Sequence, residues 1–383
     1  MRIGVTCHPS AGGSGILATE LGIAMAERGH SVHFVTFESP FRLQDFHANL
    51  YSHYATAVTY PMLQQSPGTL ALSALIADIA EEHDIELWHA HYAIPYAACA
   101  IMARDMLPPE KRFKVVTTLH GTDITLVGTD PSFFRVTQYS MERSDAVTAV
   151  SDWLRRETER EFHPSRPIER IYNFLDVDRF TAPRTHRCCL ANNGEKIVMH
   201  VSNFRPVKRV TDVVRAFKKI QDRIPARLVM VGDGPERISA VGVARQLGIT
   251  DKVKFLGNQS DVERLLVCAD LVFQPSEHES FGLVALEAMA CEVPVLATAS
   301  GGVSEVIEHG VTGFLCEVGD IDAMAGYATT ILMNPKRAKE MGRLARESVL
   351  KEFSKEKIVP QYEALYNRVL NGEHKSSLAE TAG

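Results

Sequence analysis

Two glutamates, Glu279 and Glu287, stand eight residues apart in the run Glu279-Ser280-Phe281-Gly282-Leu283-Val284-Ala285-Leu286-Glu287. The preceding Leu271-Val272-Phe273-Gln274-Pro275 reads as a buried strand stopped by proline, and Leu283, Leu286 and Ala290 carry a helical period. Glu279 then falls on a strand-to-helix loop, with Glu287 about two turns into the helix. The N–H groups of such a turn and the positive end of the helix suit an anion. Carboxylates beside that anion accept hydrogen bonds from hydroxyls, and an anion joined to a polyol describes a nucleotide-sugar. Acids also favour helix starts without any ligand, so the neighbouring residues decide between the two readings.

His200-Val201-Ser202-Asn203-Phe204-Arg205-Pro206-Val207-Lys208-Arg209 sets three cations between a strand and a helix, where they suit a leaving pyrophosphate. Val231-Gly232-Asp233-Gly234-Pro235 and Ala299-Ser300-Gly301-Gly302 also read as turns that follow strands. In the first half, Pro9-Ser10-Ala11-Gly12-Gly13-Ser14-Gly15 leads into a helix at Ile16, letting backbone approach a phosphate or carboxylate. Its G-G-x-G spacing departs from the dinucleotide fingerprint, although Glu38 lies where a ribose-binding acid would. Leu119-His120-Gly121-Thr122-Asp123 offers an imidazole and a hydroxyl beside a glycine that permits close approach.

His89 and His91 alternate on a strand with no Cys, Asp or Glu adjoining either, which argues against zinc. Asp176-Val177-Asp178 resembles a cation-binding pair but lies at a domain junction, where a turn is expected. No G-x-S-x-G elbow, P-loop or Cys–His nucleophile pattern occurs. Neither a cofactor nor a metal is expected.

The elements that must position these groups alternate strand and helix throughout, the pattern of parallel α/β layers. The first half carries strand patterns at 2–7, 31–36, 85–90, 114–119 and 145–150, with helical patterns at 16–28, 69–82, 94–105, 132–143 and 151–161. The second carries strands near 196–202, 226–231, 252–256, 270–274, 293–297 and 313–316. Its helices fall near 210–223, 235–247, 260–267, 282–291 and 303–309, then 320–349 (broken at Pro335) and 354–370. The fold class is α/β: two doubly wound, Rossmann-like domains, 1–165 and 196–353, facing a central cleft. A junction spans 166–195, helix 354–370 packs back on the first domain, and a disordered tail covers 371–383. Ligands belong at the carboxyl ends of such strands.

At 383 residues the chain is long enough for two cores. A net charge of −6 without a basic, aromatic-interleaved cluster argues against a nucleic-acid partner, and none is expected. Seven scattered cysteines, no signal peptide and no apolar run of membrane-spanning length predict a reduced, soluble, cytoplasmic protein with no membrane partner.

In this order the motifs resemble those of the retaining glycosyltransferases of family four, which have the GT-B architecture. Glu279-x7-Glu287, Gly232-Asp233-Gly234-Pro235, the Ser202–Arg209 turn, and Glu305-Val306-Ile307 before Gly310-x-x-Gly313 carry the likeness. The resemblance implies that Glu287 holds the donor ribose and Glu279 the transferred sugar. The N–H groups of Ser280, Phe281, Gly282 and Leu283 would serve sugar or phosphate, and Lys208 the diphosphate. The family's diphosphate arginine falls on Asn203, a departure that leaves Arg205 or Arg209 to substitute. Gly13 and Gly232 complete the expected donor site.

Cys7–Gly15, Pro40-Phe41-Arg42-Leu43, His89–Pro95, Thr118–Thr125 and Val201–Arg209 narrow the likeness. They resemble members of bacillithiol biosynthesis that move N-acetylglucosamine from UDP-N-acetylglucosamine to the hydroxyl of L-malate. A similar mycothiol-pathway member takes inositol phosphate. Expected acceptor contacts are Ser14, Gly15, Arg42, Tyr92 and Thr122. Expected catalytic groups are His120, Lys208, Arg205 and Glu279, acting without metal as domain closure excludes water. A homo-oligomer is compatible with all of this. A nicotinamide dehydrogenase is the rival enzyme class, and a solute-binding protein the non-enzymatic rival; the glycine spacing and the missing secretion signal count against them.

Overall fold

The computed structural model describes residues 1–9, 12–40, 42–43, 46–57, 68–180, 190–192 and 194–373. Ser10, Ala11, Phe41, junction residues 181–189 and 193, and the tail from 374 lie outside the described residues. The chain divides into two compact units, Met1–Phe174 with Glu356–Gly383, and Leu175–Lys355.

The first unit comprises β1 (Arg2–Thr6), α1 (Gly13–Glu27), β2 (Ser31–Thr36), β3 (Leu50–Tyr54), α2 (Gly68–Glu82), β4 (Leu87–His91), α3 (Ala98–Met106), β5 (Lys114–Leu119), α4 (Phe134–Arg143), β6 (Ala146–Ala149), α5 (Asp152–Phe162) and β7 (Ile168–Arg170). Its sheet is parallel in the order β3-β2-β1-β4-β5-β6-β7. Strands covered on both faces read as continuous apolar runs, and every residue of β4 is buried. One face packs on α2 and α3 through Leu72, Ile76, Trp88 and Phe113. The other packs on α1 through Leu17, Leu21 and Met25, joined by Ile358, Tyr362 and Tyr366 from the end of the chain. Local signals set α5: Ser151 Oγ accepts from Leu154 N at 3.1 Å, and His163 stops the helix in the left-handed region.

The second unit runs β8 (Lys196–Val201), α6 (Val210–Gln221), β9 (Ala226–Val231), α7 (Arg237–Gln246), β10 (Val253–Gly257), α8 (Val262–Leu266), β11 (Leu271–Gln274), α9 (Leu283–Ala290), β12 (Val295–Thr298), β13 (Gly313–Cys316), α10 (Ile321–Leu332) and α11 (Pro335–Glu352). Its parallel sheet has the order β10-β9-β8-β11-β12-β13. Asn334 Oδ1 accepts from Arg337 N at 3.1 Å and Pro335 takes the first helical position, so α11 restarts where α10 stops. The final helix, α12 (Lys355–Leu370), belongs almost entirely to the first unit.

Several elements differ from the sequence reading. β3 has no counterpart in it, and β7 lies in the segment read as junction. Helix 94–105 begins late: Ala93–Ala97 is a wide turn with Ile94 extended, before α3. α1 opens at Gly13 rather than Ile16. Residues 303–309 form only a short 3-10 turn, Gly302–Glu305. Cys7, Cys99, Cys291 and Cys316 are buried free thiols. Among the described residues no helix is long and apolar enough to cross a membrane.

Candidate active site

In the second unit, four loops leave the carboxyl ends of β8, β9, β11 and β12, where an open parallel sheet binds its ligands. Close backbone contacts lock them together. A Cβ on Gly232 (φ +112°) would lie 1.8 Å from Ser202 O, and one on Gly301 (φ +84°) 2.2 Å from Glu279 O. Both positions therefore require glycine, for the conformation and for the close approach. Glu279 O also accepts from Gly302 N at 2.8 Å, and Glu277 N donates to Val207 O at 2.8 Å.

This frame brings two of the expected residues into direct contact. Lys208 Nζ donates to Glu279 Oε2 at 2.6 Å, and Gln274 Nε2 and Ser276 Oγ each donate to the same oxygen at 3.1 Å. Burial alone would raise the Glu279 pKa, but the Lys208 charge and these hydrogen bonds outweigh it and leave it lowered. Sequence reasoning missed Gln274 and Ser276. Their positions, at the end of β11 and just beyond, were the available signal.

Arg209 is committed to Asp212, with Nε 2.6 Å from Oδ2, whereas Arg205 is exposed. Asn203 is exposed, and its carbonyl abuts Gly234. His200, buried, bridges Phe273 O (2.9 Å) and Ser202 Oγ (2.8 Å), fixing the start of the cationic turn.

Gly282 (φ +97°) turns the chain into α9, leaving Ser280 before the helix and Leu283 as its first residue. Phe281 is 2% exposed and packs edge-on against Phe353 at 5.7 Å. Its ring is core, so only its backbone can face a ligand. Glu287 is the fifth residue of α9, about one turn in rather than two, and is buried.

In the first unit the site residues follow β1, β2, β4 and β5. Gly13, Ser14 and Gly15 form the opening of α1, with Gly13 exposed and Ser14 half-buried. Arg42 Nη1 donates to Glu20 Oε1 of α1 at 2.8 Å.

After β4, Tyr92 holds φ +90°, a strained value for a bulky residue of the kind that collects at functional sites. Its ring centroid lies 5.1 Å from that of His120. Asp123 Oδ1 accepts from His120 N (3.2 Å) and Gly121 N (2.9 Å), while Oδ2 accepts from Ala93 N (2.9 Å). This carboxylate ties the loops after β4 and β5 together, and Thr122 projects from the same turn. Burial pushes Asp123 up to about 6 against those three hydrogen bonds.

His120 Nε2 lies 3.0 Å from His91 Nδ1. Burial lowers His120 to about 3, which keeps the imidazole neutral. His89 and His91 form no three-ligand metal group among the described residues. His89 is instead held by Tyr366 Oη and Thr118 Oγ1, both at 2.7 Å. Tyr366 is distant in sequence, on α12, and no local motif signals its role.

Residues 11–179 match the family profile described as Glycosyltransferase Family 4, and residues 184–348 that of Glycosyl transferases group 1. The chain belongs to glycosyltransferase family four, with the GT-B fold. It is 47% identical, over 99% of its length and all of the relative's, to the N-acetyl-alpha-D-glucosaminyl L-malate synthase of Bacillus anthracis. A D-inositol 3-phosphate glycosyltransferase of Mycobacterium sp. (strain KMS) is 37% identical over 44% of this chain and 40% of that one. The fold is shared with sucrose-phosphate synthase from Thermosynechococcus elongatus (TM-score 0.83, 23% identity, 97% of this chain and 100% of that one). It is also shared with Anabaena HepE in complex with UDP and glucose (TM-score 0.80, 22% identity, 96% and 99%).

Proposed function

We propose that this enzyme moves N-acetylglucosamine from UDP-N-acetylglucosamine to the hydroxyl of L-malate, with retention and without a metal, as the first step of bacillithiol biosynthesis. The observation that carries the chemistry is the Lys208–Glu279 pair, fixed at 2.6 Å on the loops before α6 and α9. An ammonium has three donors, and Glu279 takes one, leaving two for diphosphate oxygens. The 47% identity, over 99% of the chain, to an N-acetyl-alpha-D-glucosaminyl L-malate synthase supports the acceptor.

In this reading the second unit holds the donor. Glu287 accepts from the ribose hydroxyls, and Glu279 contacts the transferred sugar. The N–H groups from Ser280 to Leu283, with Asn203 and Gly232, serve sugar and phosphate. Lys208 and Arg205 stabilise the charge that grows on the diphosphate as the C1–O bond breaks. The malate hydroxyl attacks C1 from the face the diphosphate leaves, and a leaving phosphate oxygen takes the hydroxyl proton. His120, neutral, donates to or accepts from a sugar hydroxyl.

The first unit holds the acceptor. Ser14 and Gly15 at the start of α1 meet one carboxylate and Arg42 the other, while Tyr92 and Thr122 address the hydroxyl. Both anchors should matter, because burying an unpartnered carboxylate is costly. A cytoplasmic location belongs to this reading on the nature of the substrates, as does the option of a homo-oligomer. UDP release measured across UDP-sugars and hydroxy acids tests it. Malate should far exceed lactate and glycerate, which lack the second carboxylate, and Arg42→Ala should narrow the gap. Equal rates with malate and lactate would remove the two-anchor site.

A further inference from the structure

Three histidines gather at the outer edge of the first unit's sheet. His33 lies on β2, His53 on the edge strand β3, and His83 in the turn from α2 to β4. In a parallel sheet that turn lies at the amino-terminal end of the strands, opposite the end that carries the active site. Tyr51 pairs with His33, and His53 comes two residues later, so the side chains of His33, Tyr51 and His53 share one face.

One ligand nitrogen from each of the three histidines lies within 4.8 Å of the other two. His33 Nδ1 and His53 Nε2 are 3.1 Å apart. The His83 ring stands 4.4 Å from His33 and 5.6 Å from His53, centroid to centroid. His33 is buried, and the other two are half-buried.

We propose that His33, His53 and His83 bind one divalent transition-metal ion per chain, with Zn²⁺ the best match. Two nitrogens on a tetrahedral Zn²⁺ with bonds of 2.0–2.1 Å stand about 3.3 Å apart, close to the 3.1 Å separation here. The His83 nitrogen completes the set by a side-chain rotation, and water takes the fourth position. A three-imidazole ligand set, with Glu82 Oε1 4.0 Å from His83 Nε2, favours Zn²⁺, Ni²⁺ or Cu²⁺ over Mg²⁺ or Ca²⁺. Ser31 Oγ lies 3.0 Å from His33 Nε2. By accepting that N–H it fixes the tautomer whose Nδ1 lone pair points into the cluster, the usual outer-shell device of a metal-bound histidine. The ion would clip the edge strand and the end of α2 to β2. β3 needs such a clip, since no residue of it is fully buried.

This inference does not depend on the transferase reading, because none of the three histidines is among the residues assigned to the sugar chemistry, and activity should survive the ion's removal. The test is calorimetric titration of chelator-stripped full-length protein with Zn²⁺, alongside melting curves with and without the ion. Wild type should bind one Zn²⁺ per chain and melt higher with it. His53→Gln and His83→Gln, both at partly exposed positions, should keep the metal-free melting temperature yet lose at least about tenfold in affinity and the thermal gain. Equal Zn²⁺ binding and equal thermal shifts in wild type and both variants would overturn the proposal. So would no saturable binding to wild type, which would leave a hydrogen-bonded, stacked histidine cluster only.

Discussion

Glu287 is buried on α9 and offers only acceptor oxygens to a ligand. Glu287→Ala should weaken UDP binding by about 1.5–3 kcal/mol, the range for charge-assisted hydrogen bonds. Calorimetry with UDP checks this, and an unchanged affinity would remove the residue from the donor site. Lys208 faces a different demand, because its charge matters most as the diphosphate leaves. Lys208→Ala should cut turnover about a hundredfold or more. The same change leaves the Glu279 carboxylate without its cation, so Lys208→Arg is the companion variant that keeps the charge. Alanine losing turnover while arginine restores part of it, at similar melting temperatures, is the expected pattern. Normal turnover in the alanine variant would end the leaving-group assignment.

At the scale of elements, the site depends on turns that cannot accept a side chain. Gly232→Ala should lower the melting temperature and weaken donor binding together, since its Cβ would drive Ser202 away from the turn that carries Lys208. Loss of neither, in a thermal melt and a UDP titration, would show the turn to be pliable. The glycine turns, the glutamate loop and the cationic turn are legible in sequence because each combines a short apolar strand with turn residues that have one structural use. β3 is not legible, because an edge strand with half-exposed residues lacks the apolar run of its neighbours. β7 is only three residues long and sits between prolines and polar residues. The depth of Glu287 is misjudged by about a turn, because the loop stays irregular through Phe281, which is core, until Gly282 reverses the backbone. Least visible is the support of His89 by Tyr366, which only the return of α12 to the first unit creates.

At the scale of the whole molecule, buried histidines set the response to acid. Burial lowers His89 and His120 to about 3 from an ordinary 6.5, and drives His91 well below it, helped by its two histidine neighbours. Each binds a proton more readily unfolded than folded, so stability falls as pH drops below 6.5 and continues to fall towards 3. Asp123, raised to about 6 by burial, acts in the opposite sense between 6 and 3.8, one carboxyl against these three imidazoles and those of His33 and His200, which burial lowers to about 4. The melting temperature should therefore drop between pH 6.5 and 4, and a flat profile by calorimetry would refute this balance. Turnover, in contrast, should survive EDTA, since cations of the 202–209 turn take the place of a divalent ion at the diphosphate. Activity lost in chelator and restored by Mg²⁺ or Mn²⁺ would reverse that. The central claim is tested most directly by NMR of the product formed from UDP-N-acetylglucosamine and L-malate. The account predicts one α-linked N-acetylglucosaminyl malate per UDP released, and no comparable UDP release without malate. A β-linked product, or UDP release indifferent to malate, would contradict it.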